Sequence, residues 1–509
     1  MMNRLMKKIT GTMLCLSLAL APASCLHAAE AQSAETPAVS EPAVSAEAES
    51  AAEIPGDVSA GELLRKQYEK YREEAKADPV RQKELTPETV EYDGDEYPVC
   101  TIERDGKKMR FTMEVIGEPD ASGLYPLYIT LHGGGGGEGA DEENDSEWFT
   151  MATYYRENVT SGIYVACRGM VDEWNMHFID EAFPMYDRLI EDMILLKNAD
   201  PNRVYLLGFS AGGDGVYGVT PRMADRFAAA NMSSGHPNGV SLLNTANVPF
   251  EIQVGIRDYY TEDVMRSIRG AEFGKTLDEY REKYGFGYEH RILVHVPEGH
   301  NYNDHLSASP ESIVLADPQE FAERAVKEEW LDDFLELYAE DHDEDPMALS
   351  YADPAEDFNA ELLKMVEEEF GMKTEMADTN AVHYVDQFVR DPHPANVVWD
   401  LATRAPKREV SSFYWLQADF SADKGVIKAD FNAGTNTFSL DPSADFEGDF
   451  SVLLSPEMVD FERPVNFVTP GGTKTLEVRP DEKEMEASVA VTGDVNLAWA
   501  ARVKYSELK

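Results

Sequence analysis

Ser210 sits in Gly208-Phe209-Ser210-Ala211-Gly212, directly after the apolar run Val204–Leu207. A serine hydroxyl is a poor nucleophile unless a base takes its proton. Flanking glycines permit a sharp strand-to-helix turn that lifts the hydroxyl clear of a sheet. Two downstream residues have the types needed to complete such a relay. His300, in Pro297-Glu298-Gly299-His300, carries an imidazole that can accept a proton near pH 7. Asp258, in Val254-Gly255-Ile256-Arg257-Asp258, carries a carboxylate that can fix the ring tautomer and stabilise the imidazolium. Upstream, Leu131-His132 leads into five glycines, Gly133 to Gly137, whose amides can approach and bind an oxyanion. The chemistry this set can perform is acyl transfer through a serine. A phosphate loop is the rival reading of the glycine run. No Gly-Lys-Ser/Thr follows it, however, and Glu138, Asp141, Glu142 and Glu143 would repel phosphate.

Each of these residues needs a strand to place it. Short apolar runs at Met109–Val115, Pro126–Leu131, Ile163–Ala166, Val204–Leu207, Phe250–Val254 and Ile292–Val296 read as strands, with helical patterns such as Phe183–Lys197 between several of them. That alternation predicts an α/β domain with a mostly parallel sheet and helices on both faces. Ser210, Asp258 and His300 then all fall where a loop leaves the carboxyl end of a strand, the edge at which open α/β sheets place ligands.

The order Ser, Asp, His, with His132 and its glycine run, resembles the α/β-hydrolase superfamily. Within it the chain resembles secreted esterases grouped with polyhydroxybutyrate depolymerases, feruloyl esterases and prolyl-oligopeptidase-like hydrolases. Asn144-Asp145-Ser146-Glu147-Trp148 and the stretch Arg203 to Gly215 add to the likeness, which spans roughly residues 90 to 305. The resemblance implies ester hydrolysis through a covalent acyl-enzyme, with Ser210 as nucleophile, His300 as base and Asp258 as its partner. It also implies oxyanion donors at the Ala211 amide and at Gly134 or Gly135. Asn301 stands where relatives often carry an aromatic. Two other readings compete: a prolyl-oligopeptidase-like serine peptidase, and a surface binding protein on a hydrolase scaffold.

Other residues have plainer readings. His305 rivals His300 as base but lacks the strand-then-glycine placement. His132, Trp174, His236 and Asn301 are candidate pocket residues. A structural histidine explains His236 equally well, and core packing is the commoner role for Trp174. The two mature-chain cysteines, Cys100 and Cys167, have no metal-ligand spacing and suit either one disulfide or two buried thiols. No metal or cofactor is expected.

Composition sets the frame. The chain has 509 residues, 95 Asp and Glu against 45 Lys and Arg, and a formal net charge of −50, with 43% hydrophobic residues. It can build a core, needs more than one domain, and cannot neutralise a phosphate backbone, so nucleic acid is excluded. The acidity suggests neutral or cationic esters over anionic ones.

Arg4, Lys7 and Lys8 precede the apolar run Ile9–Ala21, and Ala29-Glu30-Ala31 would serve as a cleavage site, so residues 1–31 read as a signal peptide of an exported protein, too short to span a bilayer. Pro22-Ala23-Ser24-Cys25 resembles a lipoprotein box, with Cys25 as a lipid anchor ranked below plain secretion because Pro22 replaces the usual Leu. Residues 32–59 read as an Ala/Glu/Ser/Pro tether and 60–305 as the catalytic domain. Residues 306–382 read as an acidic two-helix insertion, either a lid or a side decoration, and 383–509 as a β-rich, sandwich-like domain. The acidic run Glu340–Asp345 reads as a solvated surface.

Overall fold

The computed structural model describes residues 59–258, 266–305, 311–328 and 356–509. The expected signal peptide, Cys25 and all but the last residue of the tether lie outside these. So do Trp330, Phe334 and Tyr338 of the first insertion helix, and the acidic run that follows them.

An eleven-stranded sheet organises the first part of the chain. In chain order its strands are β1 (Glu88–Tyr92), β2 (Asp95–Arg104), β3 (Lys107–Ile116), β4 (Tyr125–Leu131), β5 (Gly162–Cys167), β6 (Ala199–Phe209), β7 (Ala229–Ser233), β8 (Phe250–Gly255), β9 (His290–His295), β10 (Glu311–Leu315) and β11 (Thr374–Asp378). Across the sheet they run β1-β2-β3-β5-β4-β6-β7-β8-β9-β10-β11. The block β5-β4-β6-β7-β8-β9 is parallel, and the strands on either side of it pair antiparallel.

The central strands are covered on both faces, which explains their unbroken apolar runs. Their two-residue period sorts side chains between two clusters. Leu127, Ile129, Leu131, Ile163, Val165, Val204 and Leu206 pack on the side of the helix Ala182–Lys197. Tyr128, Tyr164, Ala166, Tyr205 and Leu207 pack on the other, against Trp148 and Phe149 of the helix Ala140–Tyr154.

The boundary expected at 305/306 falls inside this sheet. β10 and β11 continue it beyond β9, and the helices Pro318–Glu328 and Glu356–Lys364 flank it, with Phe321, Phe358 and Leu362 buried in its core. Asp317 Oδ1 accepts from the Glu320 amide at 2.9 Å and caps the first of them. The described parts of this segment are therefore a flank of the sheet. The two strands escape sequence reading because Glu311, Ser312, Thr374, Glu375 and Asp378 dilute their apolar content.

The C-terminal part holds a five-stranded sheet, β12 (Asn396–Asp400), β15 (Val426–Asn432), β16 (Thr437–Pro442), β18 (Val465–Thr469) and β19 (Gly472–Leu476), and a four-stranded sheet, β13 (Ser412–Phe413), β14 (Leu416–Ala418), β17 (Phe450–Leu454) and β20 (Ala501–Lys504). Ser412–Leu416 forms a hairpin, with Tyr414 at φ 53° in its turn. Phe413, Tyr414 and Trp415 are nonetheless buried, as a core role requires.

This unit is fixed to the catalytic one by buried polar contacts. Arg408 forks onto Asp187 at 2.6 and 3.0 Å, and Tyr414 donates to the Ala224 carbonyl at 3.0 Å. Arg390, paired with Asp494 of its own unit at 2.6 Å, donates across to the Asp225 carbonyl at 2.7 Å. The N-terminal helix Ala60–Ala77, opened by a Ser59–Glu62 capping box, bridges both. Its Leu63 and Leu64 pack on Met485 and Val489 of the helix Glu482–Thr492, while Arg72 donates to the Leu195 carbonyl at 3.2 Å.

Cys100 and Cys167 are free and buried, on strands β2 and β5 with β3 between them. Next-nearest strands lie about 9–10 Å apart, too far for a disulfide. No described helix is long and apolar enough to cross a membrane.

Candidate active site

β6 ends at Phe209, and the helix Ala211–Val219 starts two residues later. Ser210, between them, is held at φ 58°, a left-handed conformation that costs a non-glycine residue energy. Its amide donates to the Ser233 carbonyl at 2.9 Å. Gly212 makes so tight a turn possible: a Cβ there would lie 1.9 Å from the Leu131 carbonyl oxygen.

The loops after β8 and β9 bring the other two residues to this elbow. His300 Nε2 lies 2.9 Å from Ser210 Oγ, and His300 Nδ1 lies 2.9 Å from Asp258 Oδ2. Ser234 Oγ donates to the His300 carbonyl at 2.7 Å and fixes the backbone behind the ring. Asp258 is fully buried, and Arg266 donates to its Oδ1 at 3.2 Å. Burial would raise the Asp258 carboxyl, but the charges and hydrogen bonds of His300 and Arg266 outweigh it and hold the group below the usual aspartate range.

The glycine run closes the other side. Gly134 takes φ 107°, and a Cβ on it would strike Asn144 Oδ1 at 2.1 Å. Asn144 holds the loop by both ends of its carboxamide: Oδ1 accepts from the Gly135 amide and Nδ2 donates to the Gly135 carbonyl, each at 3.0 Å. The Gly135 amide is thus committed, a correction to its expected role as an oxyanion donor. Gly134 and the first-turn amide of Ala211 keep that capacity, because no described acceptor takes either.

His132 is also corrected. It is fully buried, with Nδ1 2.6 Å from the Gly133 carbonyl and Nε2 accepting from the Gly169 amide at 2.9 Å. Burial, then the neighbouring His177, push its pKa well below 6.5. The neutral ring pins the glycine loop from behind and lines no pocket.

Asn301 lines a cavity of about 610 Å³ beside Ser210, together with Gly133, Glu147, Tyr154, Phe209 and Tyr302. Glu147, Thr150, Met151 and Tyr154 recur at helical spacing, so one face of Ala140–Tyr154 forms a wall of it. His305 is in that wall, stacked on Tyr154 at 3.7 Å with Nδ1 3.1 Å from Asp304, while His300 takes the contact with the serine. His236 instead lines a separate cavity with Phe273 and Arg269. Trp174 is 51% exposed, contrary to a core role. It stands on the loop whose Glu173 abuts Gly136.

Asn144 and Glu147 are site residues that the sequence does not reveal by type. Their three-residue separation on one helix, flanked by buried Trp148 and Met151, is the signal that marks a polar face turned toward the glycine loop. Burial and Glu143 hold the Glu147 carboxyl above its usual range, against the opposing pull of His300.

A six-stranded parallel core, a serine at the strand-to-helix elbow after β6, and acid and histidine on the loops after β8 and β9 decide the architecture. The fold is that of an α/β-hydrolase. Solved structures similar to this one include a thermostable esterase, at 19% identity over 49% of this chain and 70% of that one, TM-score 0.31. A ferulic acid esterase matches at 15% over 41% and 90%, TM-score 0.25. An S-formylglutathione hydrolase from Agrobacterium tumefaciens matches at 14% over 50% and 98%, TM-score 0.29. No protein-family model and no curated protein matches the chain. What chemistry this chain can perform therefore rests on its own geometry.

Proposed function

We propose that this chain is a serine hydrolase that cleaves carboxylic esters through a covalent acyl-enzyme. The observation that carries this reading is the continuous chain Ser210 Oγ, His300, Asp258, with both links at 2.9 Å. Ser210 Oγ attacks the ester carbonyl carbon while His300 Nε2 takes its proton. The carbonyl π electrons move to the oxygen, where the Ala211 and Gly134 amides receive the negative charge. Asp258 keeps the proton of the imidazole on Nδ1 before attack and stabilises the imidazolium afterwards. Collapse of the intermediate breaks the bond to the alcohol oxygen, which leaves with the proton held on Nε2. Water then repeats the sequence on the acyl-enzyme and restores the serine.

The N-terminal segment that reads as a signal peptide supports action outside the cytoplasm. The test of the chemistry is turnover of p-nitrophenyl acetate. Ser210→Ala should reduce kcat by about 10⁶-fold with an unchanged circular dichroism spectrum. Full activity in that variant would refute the reading.

A further inference from the structure

Glu147 stands out in the cleft because no described residue forms a hydrogen bond or ion pair with its carboxylate. That carboxylate is half-buried. It is also next to the reacting hydroxyl. A Cβ placed on Gly133 would lie 3.1 Å from Glu147 Oε2 and 3.7 Å from Ser210 Oγ, so the two oxygens flank one point. The side chain that glycine lacks is what leaves the carboxylate open to the cleft.

The rest of the cavity has matching chemistry. Among its described lining residues there is no Lys or Arg. The rings of Tyr154, Phe209 and Tyr302 form its apolar wall. Carboxylate beside aromatic faces is the combination that recognises an ammonium group, through charge on one side and ring quadrupoles on the other.

Asn301, Tyr302, Asn303 and His305, which follow His300 directly, line the cavity, and His300 is the group that hands a proton to the departing alcohol. We propose that this cavity is a leaving-group subsite for a positively charged alcohol, and that Glu147 is the residue that selects it. This deepens the serine-hydrolase reading and rests on it.

The test compares S-butyrylthiocholine with its uncharged carbon isostere, S-(3,3-dimethylbutyl) thiobutanoate. The enzyme should favour the cation in kcat/KM by about tenfold at low salt, the equivalent of one modest charge contact, with the ratio shrinking as salt rises. Glu147→Gln should bring that ratio close to one, and Glu147→Asp should keep part of it. A wild-type ratio near one, or the same ratio in Glu147→Gln, would overturn the proposal.

Protection of Ser210 from a fluorophosphonate supplies a second readout that needs no turnover. Choline should slow labelling more than 3,3-dimethylbutanol does, and Glu147→Gln should erase the difference. Equal protection by both in the wild type contradicts the subsite while leaving the hydrolase intact. Absence of labelling at Ser210 in uninhibited enzyme refutes the hydrolase reading and the subsite with it.

Discussion

Asn144 grips Gly135 through both atoms of its carboxamide, and that one contact fixes the glycine loop whose Gly133 lies against Ser210. An oxyanion donor is useful only if its position is set before charge develops. Asn144→Ala frees the loop without touching substrate. We expect kcat for an aryl ester to fall by about 10–100-fold with KM changed less than threefold, a split that marks lost transition-state stabilisation. A parallel loss in KM alone would assign Asn144 to substrate binding instead.

Asp258 gives a prediction with a pH signature. Its carboxyl is depressed below its ordinary value of 3.8. A depressed carboxyl contributes stability that is present above the unfolded value and lost as pH falls through the folded one. Asp258→Asn should therefore melt below the wild type at pH 7, and the gap should close as pH drops below about 3.8. In the same variant kcat should fall by about 10⁴-fold, because the amide favours the wrong imidazole tautomer. Equal melting temperatures at pH 7 would show that the ion pair carries no net stability.

The β unit reads as a brace. Arg408 crosses from it to Asp187 and lies 3.5 Å from buried Asp225. Removing one partner of such a set leaves the other charge buried without compensation. Arg408→Met should lower unfolding free energy by about 3 kcal/mol. Chemical denaturation followed by tryptophan fluorescence measures it, and a change under about 0.5 kcal/mol would return the contact to the class of surface pairs.

How much of this is legible in the sequence depends on what signals each part. The parallel strands announce themselves because both faces are buried. Ser210, Asp258 and His300 are legible as neighbours because each follows such a strand on the same sheet edge. The charged edge strands β1 and β11 are not, since an edge of the sheet needs no apolar run, and β10 is not because Glu311 and Ser312 leave it only a three-residue apolar run. The hairpin at Tyr414 hides because its turn uses an aromatic in a left-handed conformation. Asn144 and Glu147 are hidden for a different reason. Their spacing marks one polar face of a helix, but that this face meets the glycine loop is a tertiary fact. His132 misleads in the opposite sense, since adjacency to the glycines in sequence puts it behind them in space.

The central claim is that Ser210 is a nucleophile activated by His300. Intact-protein mass spectrometry after reaction with a fluorophosphonate tests it most directly. The account predicts one adduct per chain, mapped to the peptide containing Ser210, strongly slowed in His300→Ala and absent in Ser210→Ala. An unlabelled wild type, or an adduct that persists in Ser210→Ala at the same rate, would contradict it.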